Sequence, residues 1–164
     1  MKSIQIEKFG GPEVLVIKDT DIGKPGPKEV LIKNKSIGLN FIDVYHRTGL
    51  YPIPLPSGIG LEASGVIEEI GSDVKLFKVG DRVTHASMPI GAYSEKQIMP
   101  EEKLISVPDG ISDEVASCIT LKGITAEYLL HRAYPLKKGD KVLYHAAAGA
   151  LSLIHISEPT RPST

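Results

Sequence analysis

The chain has 164 residues, enough for one well-buried domain, or for one domain and part of a second. Its 20 Asp and Glu residues nearly balance its 19 Lys and Arg residues, and no basic cluster suggests nucleic-acid binding. One cysteine excludes an intrachain disulfide framework, and no apolar run approaches the roughly 20 residues that cross a bilayer. Because the N-terminal segment also lacks an apolar signal-peptide core, we expect a cytoplasmic protein that binds small molecules.

Short apolar segments that often alternate with polar residues fill the chain from residue 2 to about residue 107. They are bounded by Gly and Pro and comprise KSIQIEKF, EVLVIKD, EVLIKNKSIG, SGVIEEIG, DRVTHA, AYSEKQIM and KLISV. A period of two with frequent turn signals is typical of strands, and this many short strands predicts a compact barrel or sandwich. Gly80, at the entry to one strand, is predicted to adopt a positive φ.

The segment YPIPLPSGIG, residues 51–60, is predicted to be an extended loop, because its prolines remove donors and fix φ. After Pro108 the pattern changes to helix. Ser112 offers an N-cap, and the run EVASCITLKGITAEYLLHRAY has helical spacing of its apolar residues. We predict that Gly123 divides this run into two helices and that Cys118 is a small core residue.

The segment LKKGDKVLYHAAAGA, residues 136–150, combines a polar turn, an apolar strand around Val142 to Tyr144 and a small-residue turn. This order is typical of the opening of a nucleotide-binding βαβ unit. The helix of such a unit does not follow. Instead, residues 151–161 can be encoded by the transposase adapter of sequencing libraries, so we expect residues 151–164 to be an artefactual tail without a packed structure of its own.

Several segments together resemble one enzyme family in their order and spacing. They are FGGPEVL, IGLNFIDVYHRTGLYP, LPSGIGLEASGVI, VGDRV, GAYS, LKGITAEYLL and VLYHAAAG, and they cover about residues 2 to 149. The chain resembles the zinc-independent, zeta-crystallin-like quinone oxidoreductases of the medium-chain dehydrogenase/reductase superfamily. The resemblance implies a mainly β fold with α: a GroES-like β-barrel catalytic domain at residues 1–122, then the linking helix and first strand of a truncated Rossmann domain at residues 123–150.

Zinc-dependent members of that superfamily use a cysteine and a His-Glu pair at the catalytic metal. In this sequence Asn40 stands at the cysteine position, Leu61 at the histidine position and Lys122 near that of a further ligand. These residue types do not form a zinc site. The resemblance therefore implies hydride transfer from NADPH to a quinone or other activated carbonyl without zinc, in a parent protein that is a homodimer. An enoyl or crotonyl-type reductase and a non-catalytic GroES-like binding module remain alternatives.

The resemblance also assigns roles to particular side chains. It makes Asn40, Asp43 and Tyr51 catalytic, since Asn and phenol groups donate to a developing oxyanion and aromatic faces cover a flat ring. The cofactor contacts that it implies are Tyr45, Thr125, Ala147, Ala148 and Gly149. The residue types alone leave other interpretations open, because Asn and Asp are common turn residues, a Tyr can cover the core and a Thr can cap a helix.

The remaining chemistry-bearing side chains are given structural roles or none. Glu62 is expected to pack and to form hydrogen bonds. The spacing of His46, His85, His131 and His145 does not suggest a metal site. We expect no metal, no nucleic acid and no membrane among the partners of this protein.

Overall fold

The computed structural model describes residues 1–143. Met1–Cys118 form one compact unit, and the described residues from Ile119 onward belong to a second. The described strands are β1 Lys2–Ile6, β2 Val16–Asp19, β3 Glu29–Gly38, β4 Ser57–Gly58, β5 Glu62–Ile70, β6 Arg82–Ala86, β7 Lys96–Pro100 and β8 Ile105–Ser106. The described helices are α1 Phe41–Thr48 and α2 Asp113–Glu127, with a π-helical stretch at Tyr128–Ala133 and single 3-10 turns at Pro12–Val14 and Glu101–Lys103. The first unit is thus built mainly of strands.

Two antiparallel sheets form the first unit. The smaller has the order β2-β1-β4, and the larger has the order β7-β3-β5-β6-β8. β3 organises the larger sheet, because it pairs with β5 from Val30 to Gly38 and with β7 from Glu29 to Lys33. The main core lies on this sheet and consists of Val30, Ile32, Ile67, Val83, Met99 and Leu104. The smaller sheet has its own cluster, made of Ile6, Val14 and Ile59.

The start of α2 is fixed by polar contacts to the larger sheet. The Ser112 carbonyl and hydroxyl accept backbone N–H groups of the first turn, which confirms the predicted N-cap. The Asp113 carboxylate accepts hydrogen bonds from the Ser64 hydroxyl at 3.0 Å and from the Arg82 guanidinium at 3.1 Å. The first turn of the helix is therefore tied to β5 and β6.

The mainly β architecture with additional helices confirms the fold class. Gly80 has a φ of 92°, as predicted for the entry to β6. The expected loop at residues 51–60 is irregular except for the short strand β4. All of these features depend on local sequence signals, namely the alternation of apolar and polar residues and the positions of glycine and proline.

Three expectations about the helices and the later chain need correction, and one helix was not predicted. α1 has no counterpart in the sequence prediction. α2 runs through Gly123 without a break, because a glycine inside a helix lowers its stability by only about 1 kcal/mol and does not end it. Cys118 is exposed and not a core residue. Residues 142 and 143 are not in a strand, and Tyr144 lies outside the described residues, as do residues 145–164.

We predict opposite effects of alanine at two glycines. A Cβ on Gly38 would lie 2.0 Å from the Ser117 carbonyl oxygen and 2.7 Å from Glu62 Oε2, so Gly38→Ala should lower the free energy of unfolding by about 3 kcal/mol. Gly123→Ala should raise it by about 1 kcal/mol, because the added Cβ meets no atom of the described residues within 4 Å and the helix propensity improves. Urea unfolding of both variants measures this. Equal effects would contradict the packing at Gly38.

Candidate functional site

Helix α1 is capped at both of its ends. Asn40, in an extended conformation, is the N-cap, and its backbone N–H donates to Asp43 Oδ2 at 2.9 Å. Gly49 follows the helix with a left-handed φ of 82°, and its N–H donates to the His46 carbonyl at 3.3 Å. These caps explain how an eight-residue segment forms a helix at this point in the chain.

The polarity of α1 is reversed relative to an ordinary surface helix, which buries its apolar residues. Its buried side chains are Asp43, 3% exposed, and His46, 7% exposed. Large apolar side chains at and near its ends are instead open to solvent, and they are Leu39, Phe41, Leu50 and Tyr51. Buried polar groups beside an exposed apolar surface are the arrangement that marks a binding site.

Three rings form an aromatic patch at α1, made of Phe41, Tyr45 and Tyr51. The Phe41 and Tyr45 ring centroids are 6.0 Å apart, and the Tyr45 and Tyr51 rings meet edge to face at 5.3 Å. The Tyr51 backbone N–H also donates to the Tyr45 carbonyl at 3.2 Å, which ties the proline-rich loop to the helix. Such a surface suits a flat, conjugated ring, and its phenols add hydrogen-bonding capacity.

Behind the patch lies a buried polar network that consists of Glu62, Asn40, Asp43 and Tyr93. The Asn40 side-chain amide donates to Glu62 Oε2 at 2.7 Å, and the Glu62 residue has no exposed surface. Asp43 Oδ2 accepts both the Asn40 backbone N–H and the Tyr93 phenol, each at 2.9 Å. The network therefore connects β5, the start of α1 and the segment before β7.

Burial determines the protonation preferences within the network. It raises the pKa of Asp43, although the hydrogen bonds from Asn40 and Tyr93 act in the opposite direction. Burial, reinforced by the charge of Asp43, also raises the pKa of Tyr93. Tyr93 consequently keeps its proton at neutral pH and remains a donor to the Asp43 carboxylate.

The structure places the predicted site residues in three locations. Asn40 and Asp43 belong to the buried polar network, and Tyr45 and Tyr51 belong to the aromatic patch. Thr125 lies within α2, where its hydroxyl donates to the Leu121 carbonyl at 2.8 Å, so the N-cap alternative for this residue is wrong. Their catalytic and cofactor roles stay predictions, as do those of Ala147, Ala148 and Gly149, which lie outside the described residues.

Sequence reasoning missed the contribution of Tyr93. The motif GAYS contains it, but nothing in that motif shows that its phenol reaches Asp43, 50 positions earlier. Gly60 is the residue that leaves space for Tyr93 and so marks its position. It has a φ of 96°, and a Cβ there would lie 2.2 Å from the Tyr93 ring. The expectation for Glu62 is confirmed, since it is buried and accepts a hydrogen bond from Asn40.

Neither a metal centre nor a membrane-spanning helix occurs in the described part of the chain. Residues 1–143 contain no group of three or more His, Cys, Asp or Glu side chains arranged to hold a metal ion. Among the helices in this part of the chain, none has the length and apolar character needed to span a membrane.

The family model of the alcohol dehydrogenase GroES-like domain matches residues 26–134. The chain belongs to this family. It is 54% identical over 153 residues to a quinone oxidoreductase of Pseudomonas aeruginosa, covering 93% of this chain and 47% of the relative. It is also 46% identical over 161 residues to a 2-haloacrylate reductase of a Burkholderia species, covering 94% of this chain and 47% of that relative.

A solved structure gives the same result at the level of the fold. The structure of Escherichia coli quinone oxidoreductase complexed with NADPH superposes with a TM-score of 0.89 at 45% identity, covering 94% of this chain and 48% of the other. The resemblance to quinone oxidoreductases of the medium-chain dehydrogenase/reductase superfamily is thereby confirmed. The chain spans about half the length of the curated relatives that it matches.

His85, on β6, should make the fold sensitive to acid. It is 1% exposed, and burial lowers its pKa to about 4, although the Leu61 backbone acts in the opposite direction. The unfolded chain takes up this proton near pH 6.5, so stability is lost as the pH falls from about 6.5 to about 4, by about 3 kcal/mol. Urea unfolding at pH 7 and pH 4.5 should show a smaller loss for His85→Gln.

The matched control for this experiment is the exposed His131. His131→Gln should keep the pH dependence of the original protein, because the His131 side chain is exposed to solvent in the folded chain. Identical pH profiles for the original protein and His85→Gln would show that His85 is not held neutral by burial.

Proposed function

We propose that this chain supplies the catalytic domain of an NADPH-dependent quinone oxidoreductase that transfers hydride to a quinone without zinc. The observation that carries this proposal is the reversed polarity of α1, which turns the aromatic patch outward and holds polar groups behind it. The patch fits a flat nicotinamide or quinone ring. The similarity to quinone oxidoreductases, one of them solved with NADPH, supports the same assignment.

Some residues of the site position the reactants, and others stabilise the charge that develops during hydride transfer. NADPH, when bound, supplies the hydride. Tyr51 and Asn40 donate to the acceptor oxygen as negative charge develops on it, and the aromatic patch holds the ring and excludes water. Asp43 orients Asn40 through the backbone hydrogen bond at the start of α1. No Lewis acid takes part, because quinones are electrophilic enough to accept hydride without one.

In this proposal the cofactor is contacted by residues from both the catalytic domain and the start of the Rossmann domain. Tyr45 contacts the nicotinamide, Thr125 contacts the ribose or phosphate, and Ala147, Ala148 and Gly149 form the turn that approaches the pyrophosphate. The corresponding domains are residues 1–122 for the catalytic domain, residues 123–150 for the linking helix and the start of a Rossmann domain, and residues 151–164 for a tail of adapter origin.

The absence of zinc is inferred from the donor set. Asn40 and Leu61 stand where zinc-dependent relatives carry cysteine and histidine, and the Asn40 amide is engaged with Glu62 at 2.7 Å. We further propose that the parent protein is a cytoplasmic homodimer that binds neither nucleic acid nor membranes. The nearly balanced charge of the chain supports the last point.

An activated alkene conjugated to a carbonyl group, the substrate type of enoyl or crotonyl-type reductases, is a second candidate for the acceptor. The similarity to a 2-haloacrylate reductase favours it. Such a substrate also accepts hydride while charge develops on an oxygen, so the same donors serve both acceptors. The two candidates differ in the shape of the pocket that each requires.

We predict that the 164-residue chain is inactive by itself. Hydride transfer requires the nicotinamide and acceptor to be held about 3–3.5 Å apart in a water-poor cleft, and one wall does not impose that geometry. A chimera of residues 1–149 with the second half of the E. coli enzyme should oxidise NADPH in the presence of a quinone and contain no stoichiometric zinc.

The measurements are calorimetric titration with NADPH, quinone-dependent NADPH oxidation and elemental analysis, with a 2-haloacrylate as the alternative acceptor. Turnover by the 164-residue chain alone would contradict the prediction that a second domain is needed to complete the cleft. A folded chimera that binds NADPH but reduces neither acceptor, or that carries one zinc per chain, would contradict the proposed function.

A further inference from the structure

We propose that Tyr93 is a positioning residue of this site, which acts through the Asp43 carboxylate to hold Asn40 against Glu62. The inference rests on the proposed function, because it assigns to Tyr93 a role in that same site. Tyr93 does not belong to the aromatic patch, and no role at the site follows for it from the sequence. Its importance is visible only from its contacts.

The Tyr93 backbone and ring are fixed on several sides. Its N–H donates to the Ile59 carbonyl at 2.9 Å, and its carbonyl accepts the Ile4 N–H at 2.7 Å. Its ring packs on the Ile6, Val14 and Ile59 cluster and directly over Gly60, where no side chain would fit. The phenol oxygen therefore has a fixed position that is set by β1 and by the segment before β5.

The phenol connects this fixed position to α1 through Asp43. It donates to Asp43 Oδ2 at 2.9 Å, the same atom that accepts the Asn40 backbone N–H at 2.9 Å. Asn40 stands between this backbone contact and its side-chain contact with Glu62 at 2.7 Å. Without the phenol, Asp43 Oδ2 keeps only the Asn40 N–H of these two donors, and the carboxylate is held less firmly against it.

The electrostatic surroundings of Asp43 give this contact a measurable signature. The carboxyl group is faced by Tyr93 and the Asn40 N–H as donors, by His46 on its own helix and by the Glu62 carboxylate from β5. Burial raises the pKa of Asp43, and the phenol opposes that increase by stabilising the carboxylate. Loss of the phenol therefore raises the pKa of Asp43 further, which a purely packing role of Tyr93 would not do.

The decisive experiment compares Tyr93→Phe with the original 164-residue chain by NMR. The ring and its packing remain in this variant, so the fold should persist. We expect hydrogen exchange of the Asn40 side-chain amide to accelerate about tenfold and the Asp43 carboxyl carbon to titrate at higher pH. Tyr134→Phe is the matched control, because Tyr134 is 64% exposed, and it should change neither quantity.

A second variant tests whether Tyr93 acts through Asp43. Asp43→Ala removes the acceptor of both hydrogen bonds, and it should accelerate exchange at Asn40 to a similar extent. If the two residues act in series, the double variant Tyr93→Phe, Asp43→Ala should exchange no faster than Asp43→Ala alone. Multiplicative effects in the double variant, or unchanged Asn40 exchange in Tyr93→Phe, would overturn the proposal.

The chimera adds a functional readout. Tyr93→Phe should lower kcat for quinone about tenfold with little change in the KM for NADPH, because ground-state cofactor binding does not depend on Asn40. An unchanged kcat beside altered Asn40 exchange would overturn the positioning role. An original chimera without quinone reduction would remove the proposed function instead, and the Asn40 and Asp43 signals in the 164-residue chain would still decide the role of Tyr93.

Discussion

The Glu62 carboxyl group is completely buried at the start of β5, opposite Gly38 at the end of β3. A buried carboxylate destabilises a fold unless donors surround it, so this position constrains everything near it. Gly38 leaves the space that the carboxylate occupies, since a Cβ there would lie 2.7 Å from Glu62 Oε2. Asn40, two residues further along the chain, supplies a donor at 2.7 Å. The buried Glu62 carboxyl group requires space and a hydrogen-bond donor. Gly38 and Asn40 provide these where β3 ends and α1 begins.

The unusual polarity of α1 follows from the same constraint. Because the helix begins at Asn40, Asp43 falls on its inner side, where it caps the helix and meets Tyr93. The inner side of the helix is thereby occupied by polar groups. Phe41 and Tyr51 consequently remain exposed, and with Tyr45 they form the aromatic patch. The arrangement that accommodates a buried carboxyl group thus produces the surface that the proposed function uses.

Local features of the sequence were sufficient to predict the strands of the first unit except β4, the positive φ of Gly80 and the N-cap at Ser112. α1 was missed although Phe41, Val44 and Tyr45 recur at helical spacing, because the helix has only eight residues and so short a pattern does not distinguish a helix from a strand. Gly123 was misinterpreted because a single glycine weakens a helix without ending it. The Tyr93–Asp43 contact joins residues 50 positions apart, and no local pattern contains that information. Asn40 and Glu62 were recognised through family motifs, whereas their direct hydrogen bond required the structure.

A double-mutant cycle between Asn40 and Glu62 tests the central constraint most directly. The free energy of unfolding would be measured in urea at pH 7 for the original chain, Asn40→Ala, Glu62→Ala and the double variant. If the amide–carboxylate hydrogen bond fixes the start of α1, the cycle should give a coupling energy of about 2 kcal/mol, with the double variant less destabilised than the sum of the single variants. If the effect of the double variant equals the sum of the two single effects within about 0.3 kcal/mol, the account is contradicted, because Asn40 and Glu62 then contribute independently to the free energy of unfolding.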